Sequence, residues 1–599
     1  MKETTELPRL HITRIDSTEK SSDNNRSHLD YSLGNWCFSA ASLSDPNFHE
    51  QHNVFFYDNA DNDIASNNHA VVNGVFDTLM PLLAKELNRY HEKKFSVRFW
   101  EITVGYWFRQ YLDVFYDRYQ VLARVRASGT KFKVVTIRES SEWVASDTDD
   151  YSVNVMSDLL NHQLFSHIIH RVPGFHVIDS LNAEQQVKEK IGRKETSHLF
   201  RQFAFYVAST LVRYNRVVLT RAYFSLGLNI RLAIRFLSMP LLGTPKVDCT
   251  DVSTDRNARE AFTLKVKDPT EFEALVSQLC GKNIPKVFLE GFPKASALAL
   301  KTMPKRARLY VTANAFAAQE LYKMWVAFAV EAGASKHVII QHGGNYGHSN
   351  VHSEERFELA TADYYMTSGW YAEDEKMVIP LVASPRLGGI GDYEKHKPKL
   401  SPKGKFLWVL ASLPRYQYTQ WSAPQGPAFL SYLDDQKNFV TSLKKEALNT
   451  LLCRPYNYEY GWNDLKYIDS TNEKFSVDIL RKPLREMIVK SKLAIFTYDS
   501  TSMMESMALN VPTICYWIPS SWAWRPSAQN LLMAMKEVSI FHASGKEAAE
   551  FLNTLQEDCM LFDWWNSTKV QLVRSQYCKE YALTRDKEYT LWSDFFNRI

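Results

Sequence analysis

The sharpest switching between apolar and polar positions lies between Ser491 and Trp517 (SKLAIFTYDSTSMMESMALNVPTICYW). Ala494–Thr497 is a short apolar run between polar residues, the pattern of a buried parallel strand. Asp499, Ser500, Thr501 and Ser502 are short polar side chains suited to a helix N-cap. Met503, Met504, Met507 and Ala508 then recur at helical spacing. Asn510 can close the helix, Pro512 stands just past its end, and Thr513–Trp517 reads as the next strand. The stretch predicts a parallel strand–helix–strand unit. Such a unit brings a strand's carboxyl end and a helix N-terminus to one sheet edge, where unpaired N–H groups and the positive dipole end favour a phosphate. Three hydroxyls add donors there. Glu505, one turn in, could accept from a ribose or close a capping box. Taken alone, an ordinary capped helix explains the stretch equally well.

The same patterning organises the rest of the chain. Residues 1–29 are polar and read as a loose arm. Tyr31–Ser39 (YSLGNWCFS) reads as a strand with a Gly-Asn loop beside Trp36, and 45–70, rich in Asn, Asp and His, as a loop. Asp61 and Asp63 lack the other ligands of a calcium loop. Residues 74–125 read as helices, with an apolar stripe at 108, 111, 112, 115, 116 and 119. Asp113 and Asp117 stand one turn apart; they could be paired carboxylates, or Asp117 could pair with Arg118. Lys131–Arg138 is a strand and 154–171 a helix whose His162, His167 and His170 lack a matching carboxylate, so no metal is assigned. Residues 181–200 are a charged connection. Arg216–Thr220 is a strand feeding a helix that ends before Pro240, and Val287–Gly291 is a further candidate strand. Arg308–Ala313 is a strand, Asn314 can cap a helix Ala315–Gly333, and Lys336–Gln341 is a strand ending in His342-Gly343-Gly344. A histidine followed by two glycines at a strand end sits where α/β sheets bind ligands. Ala362–Thr367 is the next strand. The charged, Pro-bearing stretch 391–405 reads as a linker. Phe406–Ala411 opens a fresh α/β half, 428–450 is helical, Leu451–Tyr456 is a strand running into a loop, 528–536 and 545–556 are helices, and 561–599 is a long helical tail.

Composition narrows the class. The 599 residues are 45% hydrophobic and 23% charged, ordinary for a globular protein. A net charge of +4 is too small to argue for nucleic acid. It suits an anionic nucleotide or work beside an acidic membrane surface. The seven Cys are scattered without a CxxC, which indicates neither a disulfide framework nor a zinc site and suits a reducing cytosol. No apolar run opens the chain, so no secretory signal is read. The apolar-rich region 203–240 is broken by Arg213, Arg216, Arg221, Arg231 and Arg235 and cannot span a bilayer. It reads as a basic interfacial surface, or as a strand and helix with arginines on the wet face.

The order QHGG, ADYYMTSGW, linker, FLWVLASLPRY, LLCRPY and TYDSTSMMES resembles that of the CDP-glycerol glycerophosphotransferases and the capsule Kdo-transferase-like proteins. More closely, the chain is similar to a family of bacterial surface-polysaccharide transferases. The matching positions are Leu33-Gly34-Asn35-Trp36-Cys37; Leu87, Asn88, His91, Ser96, Arg98, Trp100, Gly105, Trp107, Asp117 and Arg118; and Gln341–Gly347. The resemblance covers about residues 31–525. It implies an α/β, GT-B-like fold, two Rossmann-like domains facing across a cleft, with the C-terminal helix packing back on the first. The expected domains are an arm 1–29, an acceptor-side domain 30–395 with helical insertions, a nucleotide-binding domain 396–570 and a helical segment 571–599. The family's His-Pro at the nucleotide site is here Arg454-Pro455; an arginine can bind phosphate but cannot act as an acid at neutral pH.

On that resemblance the expected activity is metal-independent glycosyl transfer. The donor would be a CMP-activated 3-deoxy-ulosonic acid, such as Kdo or a sialic- or pseudaminic-acid-like sugar, and the acceptor a bacterial surface glycan. A CDP-polyol or NDP-hexose donor is the alternative, and a non-catalytic nucleotide-sugar-binding assembly protein the alternative of another class. Asp499, Ser500, Thr501, Ser502, Glu505, Arg454 and Arg415 would hold the donor nucleotide. His342 would be the general base, with Glu355 or Glu358 as second choice or as its orienting partner. The reading of His342 as a packed loop histidine stands beside this. Gly343, Gly344, Asn35, Trp36, His91 and Arg98 would lie on the substrate side, the last two as partners for a sugar carboxylate. No cofactor or metal is expected beyond the nucleotide-sugar substrate. The expected partners are that donor and a glycan or lipid-linked glycan acceptor, with no nucleic acid. The expected location is the cytoplasm, at the inner face of the membrane.

Overall fold

The apolar runs pair in parallel in the computed structural model, which describes residues 7–16, 30–43, 48–55, 62–183, 216–236, 238, 244–371, 378–380, 387–399, 401–469, 471, 473–480, 482–555 and 557–599. They form three sheets. The first holds β1 (Arg9–His11), β2 (Asp30–Ser32), β3 (Asn53–Val54), β4 (Phe132–Ile137) and β5 (Phe175–Leu181), in the order β3-β2-β1-β4-β5. The second holds β6 (Val217–Thr220), β7 (Leu309–Thr312), β8 (Lys336–Ile340), β9 (Tyr364–Thr367) and β10 (Val378–Pro380), running β10-β9-β8-β7-β6. The third holds β11 (Phe406–Val409), β12 (Leu451–Arg454), β13 (Ser476–Val477), β14 (Leu493–Phe496), β15 (Thr513–Tyr516) and β16 (Phe541–His542), in the order β13-β12-β11-β14-β15-β16. That last order is the doubly wound one, whose ligand crevice opens where the strand order reverses, between β11 and β14. All four residues of β11, β14 and β15 are buried, as continuous apolar runs in a covered parallel sheet should be.

The half before the linker carries two sheets rather than one Rossmann-like unit. The helix Val97–Ala127 runs between them, buried on most of its length, against the helices Asn62–His91, Asp158–Ile169, Glu320–Glu331 and Ser353–Thr361. Four of its buried positions are charged, Arg109, Asp113, Asp117 and Arg118, so its partners have to be polar as well as apolar. At the other end of the chain, the helix Glu588–Arg598 inserts Trp592, Phe595 and Phe596 among Val217, Leu219, Leu309, Val311, Val338, Ile340 and Met366 of the second sheet. The chain thus returns to its first half after completing the second, as the GT-B-like expectation required.

Several local expectations change. Arg9–His11 is not part of a loose arm; it is the middle strand of the first sheet. Only Leu10 and Ile12 mark it as apolar, too few for a period to show. The expected loop 45–70 contains the helix Phe48–Gln51, β3 and the first turns of Asn62–His91. Val287–Gly291 is no strand; it holds a 3-10 turn, Lys286–Phe288, whose apolar residues are simply core. The helix expected at Ala315–Gly333 breaks at Gln319 into Ala315–Ala318 and Glu320–Glu331. Its first N–H, of Ala315, goes to the Thr312 hydroxyl at 2.7 Å rather than to Asn314. The helix expected at 154–171 is Thr148–Asn154 followed by Asp158–Ile169. The tail is three helices, Asp558–Asn566, Thr568–Tyr581 and Glu588–Arg598. Most of the expected connection 181–200 lies outside the described residues.

Candidate active site

The crevice between β11 and β14 opens onto a cavity of about 700 Å³, in the range of small-molecule sites. One wall belongs to the third sheet: Val409 and Leu410 at the end of β11, Arg454–Asn457 at the end of β12, Pro483–Arg485, and Tyr498–Ser502 with Glu505 after β14. The facing wall comes from the first half: His342–Tyr346 after β8, His352–Glu354 and Phe357 on the next helix, and Tyr106, Arg109, Gln110 and Asp113 of Val97–Ala127.

The third-sheet wall is built locally. Ser500 is the N-cap of the helix Thr501–Ala508, with extended backbone (φ −135°), and its side chain accepts from the Met503 N–H at 3.2 Å. The N–H groups of Thr501 and Ser502, in the first turn, have no intrahelical acceptor. The Thr501 hydroxyl accepts from the Gly344 N–H at 2.9 Å, a direct bond between the two walls. Asp499 lies on the cavity, but its carboxylate is engaged: Oδ2 accepts from His348 Nε2 at 2.5 Å and from Trp524 Nε1 at 3.0 Å. Glu505 accepts from Arg485 Nη2 at 3.1 Å, and Arg485 Nη1 donates to the Gly388 carbonyl at 3.0 Å. Arg454 is ion-paired with Asp478.

The facing wall depends on distant partners. A Cβ on Gly344 would lie 2.8 Å from the Ser500 carbonyl carbon and 2.9 Å from the Thr501 nitrogen, so glycine there permits backbone to meet backbone. Glu355 accepts from the Gly347 N–H at 2.6 Å and pairs with Arg525 at 2.7 Å. Glu358 is buried, and its two oxygens accept from the hydroxyls of Tyr346 (2.8 Å) and Tyr365 (2.7 Å). Burial pushes the Glu358 carboxyl well above the usual carboxylate range, and Glu354 beside it adds to the rise. His342 Nδ1 lies 3.6 Å from Glu358 and 3.3 Å from the Tyr346 hydroxyl. Glu354 accepts from the Tyr106 hydroxyl at 2.8 Å. His352 Nδ1 accepts from the Glu355 N–H at 3.1 Å, and burial pushes the imidazole down to about 4, so it is neutral at physiological pH.

The structure therefore places His342, Gly343, Gly344, Arg454, Asp499, Ser500, Thr501, Ser502 and Glu505 on one cavity. Glu358 stands directly behind His342, and Glu355 fastens the loop rather than lining the cavity. Five expected site residues lie elsewhere, and four of them have side-chain partners there. Arg415 donates to the Trp36 carbonyl at 2.6 Å and pairs with Asp158 at 2.9 Å. Trp36 donates to the Ile12 carbonyl at 3.0 Å, and Asn35 beside it is buried. His91 bonds the Phe288 carbonyl at 2.9 Å and packs on Phe292. Arg98 pairs with Asp363 at 3.0 Å. The conspicuous polar-aromatic grouping around 88–107 marks a helix junction, where buried polar groups need partners. Asp113 and Asp117 are not a catalytic pair: Asp113 binds Arg109 at 3.1 Å and the Gln420 N–H at 3.0 Å, and Asp117 pairs with Arg118.

Glu354, Arg485, Arg109, Tyr106, Tyr418 and Trp421 line the cavity without having been expected there. Glu354 is separated from Glu355 only by helical phase, which a sequence fixes once the helix start is known. The others carry no local signal. Among the described residues, His342, Glu354 and Glu358 also bring three donor atoms within 4.8 Å of one another, close enough to meet one cation. Their carboxylates already accept from Tyr106, Tyr346 and Tyr365.

Parallel α/β units that meet over a cavity lined from both carboxyl edges, with a returning C-terminal helix, have the GT-B-like architecture of group-transfer enzymes. The chain belongs to the LIC12162 family transferases, whose sequence profile matches residues 14–596. No curated protein matches. Among solved structures, the chain is similar to the pneumococcal O-GlcNAc transferase GtfA in complex with UDP and GlcNAc, at 10% identity and a TM-score of 0.29, over 51% of this chain and 59% of that one. It is also similar to an apo structure of OtsA, at 10% identity and a TM-score of 0.34, over 64% of this chain and 98% of that one. Likeness at these scores carries no argument about chemistry.

Proposed function

We propose that this transferase moves a sugar from a nucleotide-activated donor to a hydroxyl of a glycan acceptor. One observation carries the reading: a helix N-terminus whose first N–H groups have no intrahelical acceptor and an imidazole backed by the buried carboxyl group of Glu358 line the same cavity from opposite sides. The N–H groups of Thr501 and Ser502 and the Ser502 hydroxyl would hold the donor phosphate. As the sugar–phosphate bond breaks, the helix dipole and the Arg485 and Arg454 cations offset the charge gathering on the leaving nucleotide. Glu505 would face the ribose, held in place by Arg485. His342, with Nδ1 turned to Glu358 and the Tyr346 hydroxyl, would take the acceptor proton at Nε2. Glu354, on the cavity side, would bind the acceptor or the sugar.

The finer reading, a CMP-activated 3-deoxy-ulosonic acid passed to a bacterial surface glycan, rests on the order of motifs along the chain; a CDP-polyol or NDP-hexose donor uses the same phosphate site. The test is a thermal-shift series with CMP, CDP, UDP and GDP, followed by turnover of the best-bound class of donor. Ligand raises Tm only if it binds the folded state. A CMP response with hydrolysis or transfer lost in His342→Ala supports the proposal. A nucleotide response with turnover unchanged in His342→Ala removes the base assignment. Silence toward all four nucleotides overturns donor binding altogether.

A further inference from the structure

The helix Leu226–Phe236 covers the edge of the second sheet, with Leu228 and Leu232 buried in one core with Val217, Leu219, Trp592, Phe595 and Phe596. It has a second apolar line that does not face that core. Leu226, Ile230 and Ile234 recur every four residues, and they are 77%, 50% and 74% exposed. At 3.6 residues per turn they occupy an arc of about 80°, with Arg231 and Arg235 about 60–100° beyond it on one flank. Both arginines are exposed, and Arg231 lies 4.0 Å over the ring of Tyr589. Exposed Arg216 joins them at the helix's C-terminal end, where the Ser238 hydroxyl donates to the Val217 carbonyl. None of Arg216, Arg221, Arg231 and Arg235 forms an ion pair among the described residues.

We propose that this helix seats the protein on an anionic membrane surface, with Leu226, Ile230 and Ile234 in the acyl boundary and the arginines on lipid phosphates. Single exposed aliphatic residues are common on soluble proteins, but three in one line beside exposed arginines without an ion pair among the described residues are the composition of an interfacial helix. Among the described residues no helix is long and apolar enough to cross a membrane, so the helix lies on the surface. A second copy docked on the same ridge would bring the flanking arginines of both copies together, whereas anionic lipid offers them counter-charge. The inference does not depend on the chemistry proposed for the cavity.

The test is co-sedimentation of the full chain with vesicles of phosphatidylcholine mixed with phosphatidylglycerol, against pure phosphatidylcholine. Binding is expected to the mixed vesicles and to weaken with salt. Replacing Leu226, Ile230 and Ile234 together by serine should lower it at least about tenfold, and Arg231→Gln or Arg235→Gln roughly fivefold per charge. These side chains are exposed, so Tm should hold. Absence of wild-type binding, or binding unchanged in the serine variant, overturns the proposal. So does a fall in Tm of the serine variant, which would show that the ridge is packed within the protein, or a change from dimer to monomer by light scattering, which would make it a homotypic interface.

Discussion

Two strand-end loops face each other across the cavity, and they are held in different ways. The one after β14 is closed by its own neighbours. Ser500 caps Met503, the hydroxyls of Ser506 and Thr513 share a hydrogen bond at 2.7 Å, and Asn510, at φ +57°, ends the helix. The one after β8 takes its shape from residues far along the chain. Gly344 rests on Thr501, His348 on Asp499, and Glu355 on Arg525, while Tyr106 and Arg109 hold Glu354 and Ser353. The helix N-terminus proposed to hold phosphate is therefore a local property, whereas Gly344, His348 and Glu355 are braced only where the halves meet.

The most damaging change to the dependent wall is His342→Ala. It should lower kcat about 10²–10⁴-fold while leaving nucleotide affinity intact, as separate measurements of turnover and of nucleotide Kd would show. An equal loss in both would mean that the two walls are not functionally separable. Arg415→Ala comes next, and through stability alone. It leaves Asp158 without its cation and should cost about 3–5 kcal/mol in denaturant unfolding, with nucleotide Kd unchanged. A selective loss of nucleotide binding would return Arg415 to the site. Gly344→Ala forces a Cβ onto the Ser500–Thr501 backbone. The expected cost is about 1–3 kcal/mol, with turnover lost out of proportion because the walls separate; an active variant of wild-type Tm would contradict that contact.

Glu358 sharpens the comparison through pH. Burial raises its folded-state pKa above the unfolded value of about 4.3, so the folded state holds the proton more tightly. Its contribution therefore falls as pH rises from that value through the folded-state pKa. Glu358→Gln should flatten the decline of Tm across that window, and a decline as steep as the wild type's would show that Glu358 is not its source. The smallest effect is Thr501→Val, which removes the acceptor of the Gly344 N–H. About 0.5–1.5 kcal/mol of stability and a few-fold in donor Kd are expected. No change in either would mean that the two loops meet without help from that bond.

The apolar runs between Leu309 and Tyr516 were legible because buried parallel strands need continuous apolar residues and their helices need caps, and both requirements act over a few neighbours. The strand–helix–strand unit at Ser491–Trp517 and the His342 strand end follow from that. The short strand Arg9–His11 left too little periodicity to see. The errors at Arg415, Trp36, His91 and Arg98 share one cause: polar residues crowded beside aromatics look the same whether they await a ligand or a buried partner. Sequence alone thus determined the sheet edges, the capped helix N-terminus and the imidazole at a strand end, because these rest on backbone sterics and side-chain spacing. Only the tertiary structure decided which carboxylate backs that imidazole, that Asp499 is a brace, that Arg485 rather than Arg415 reaches the cavity, and that an apolar ridge is left facing outward at 226–234. The roles of Asp499 and Arg415 depend on groups more than a hundred residues away coming within hydrogen-bond distance, and that of Glu358 on how its helix packs over the neighbouring strand end; no local pattern encodes either.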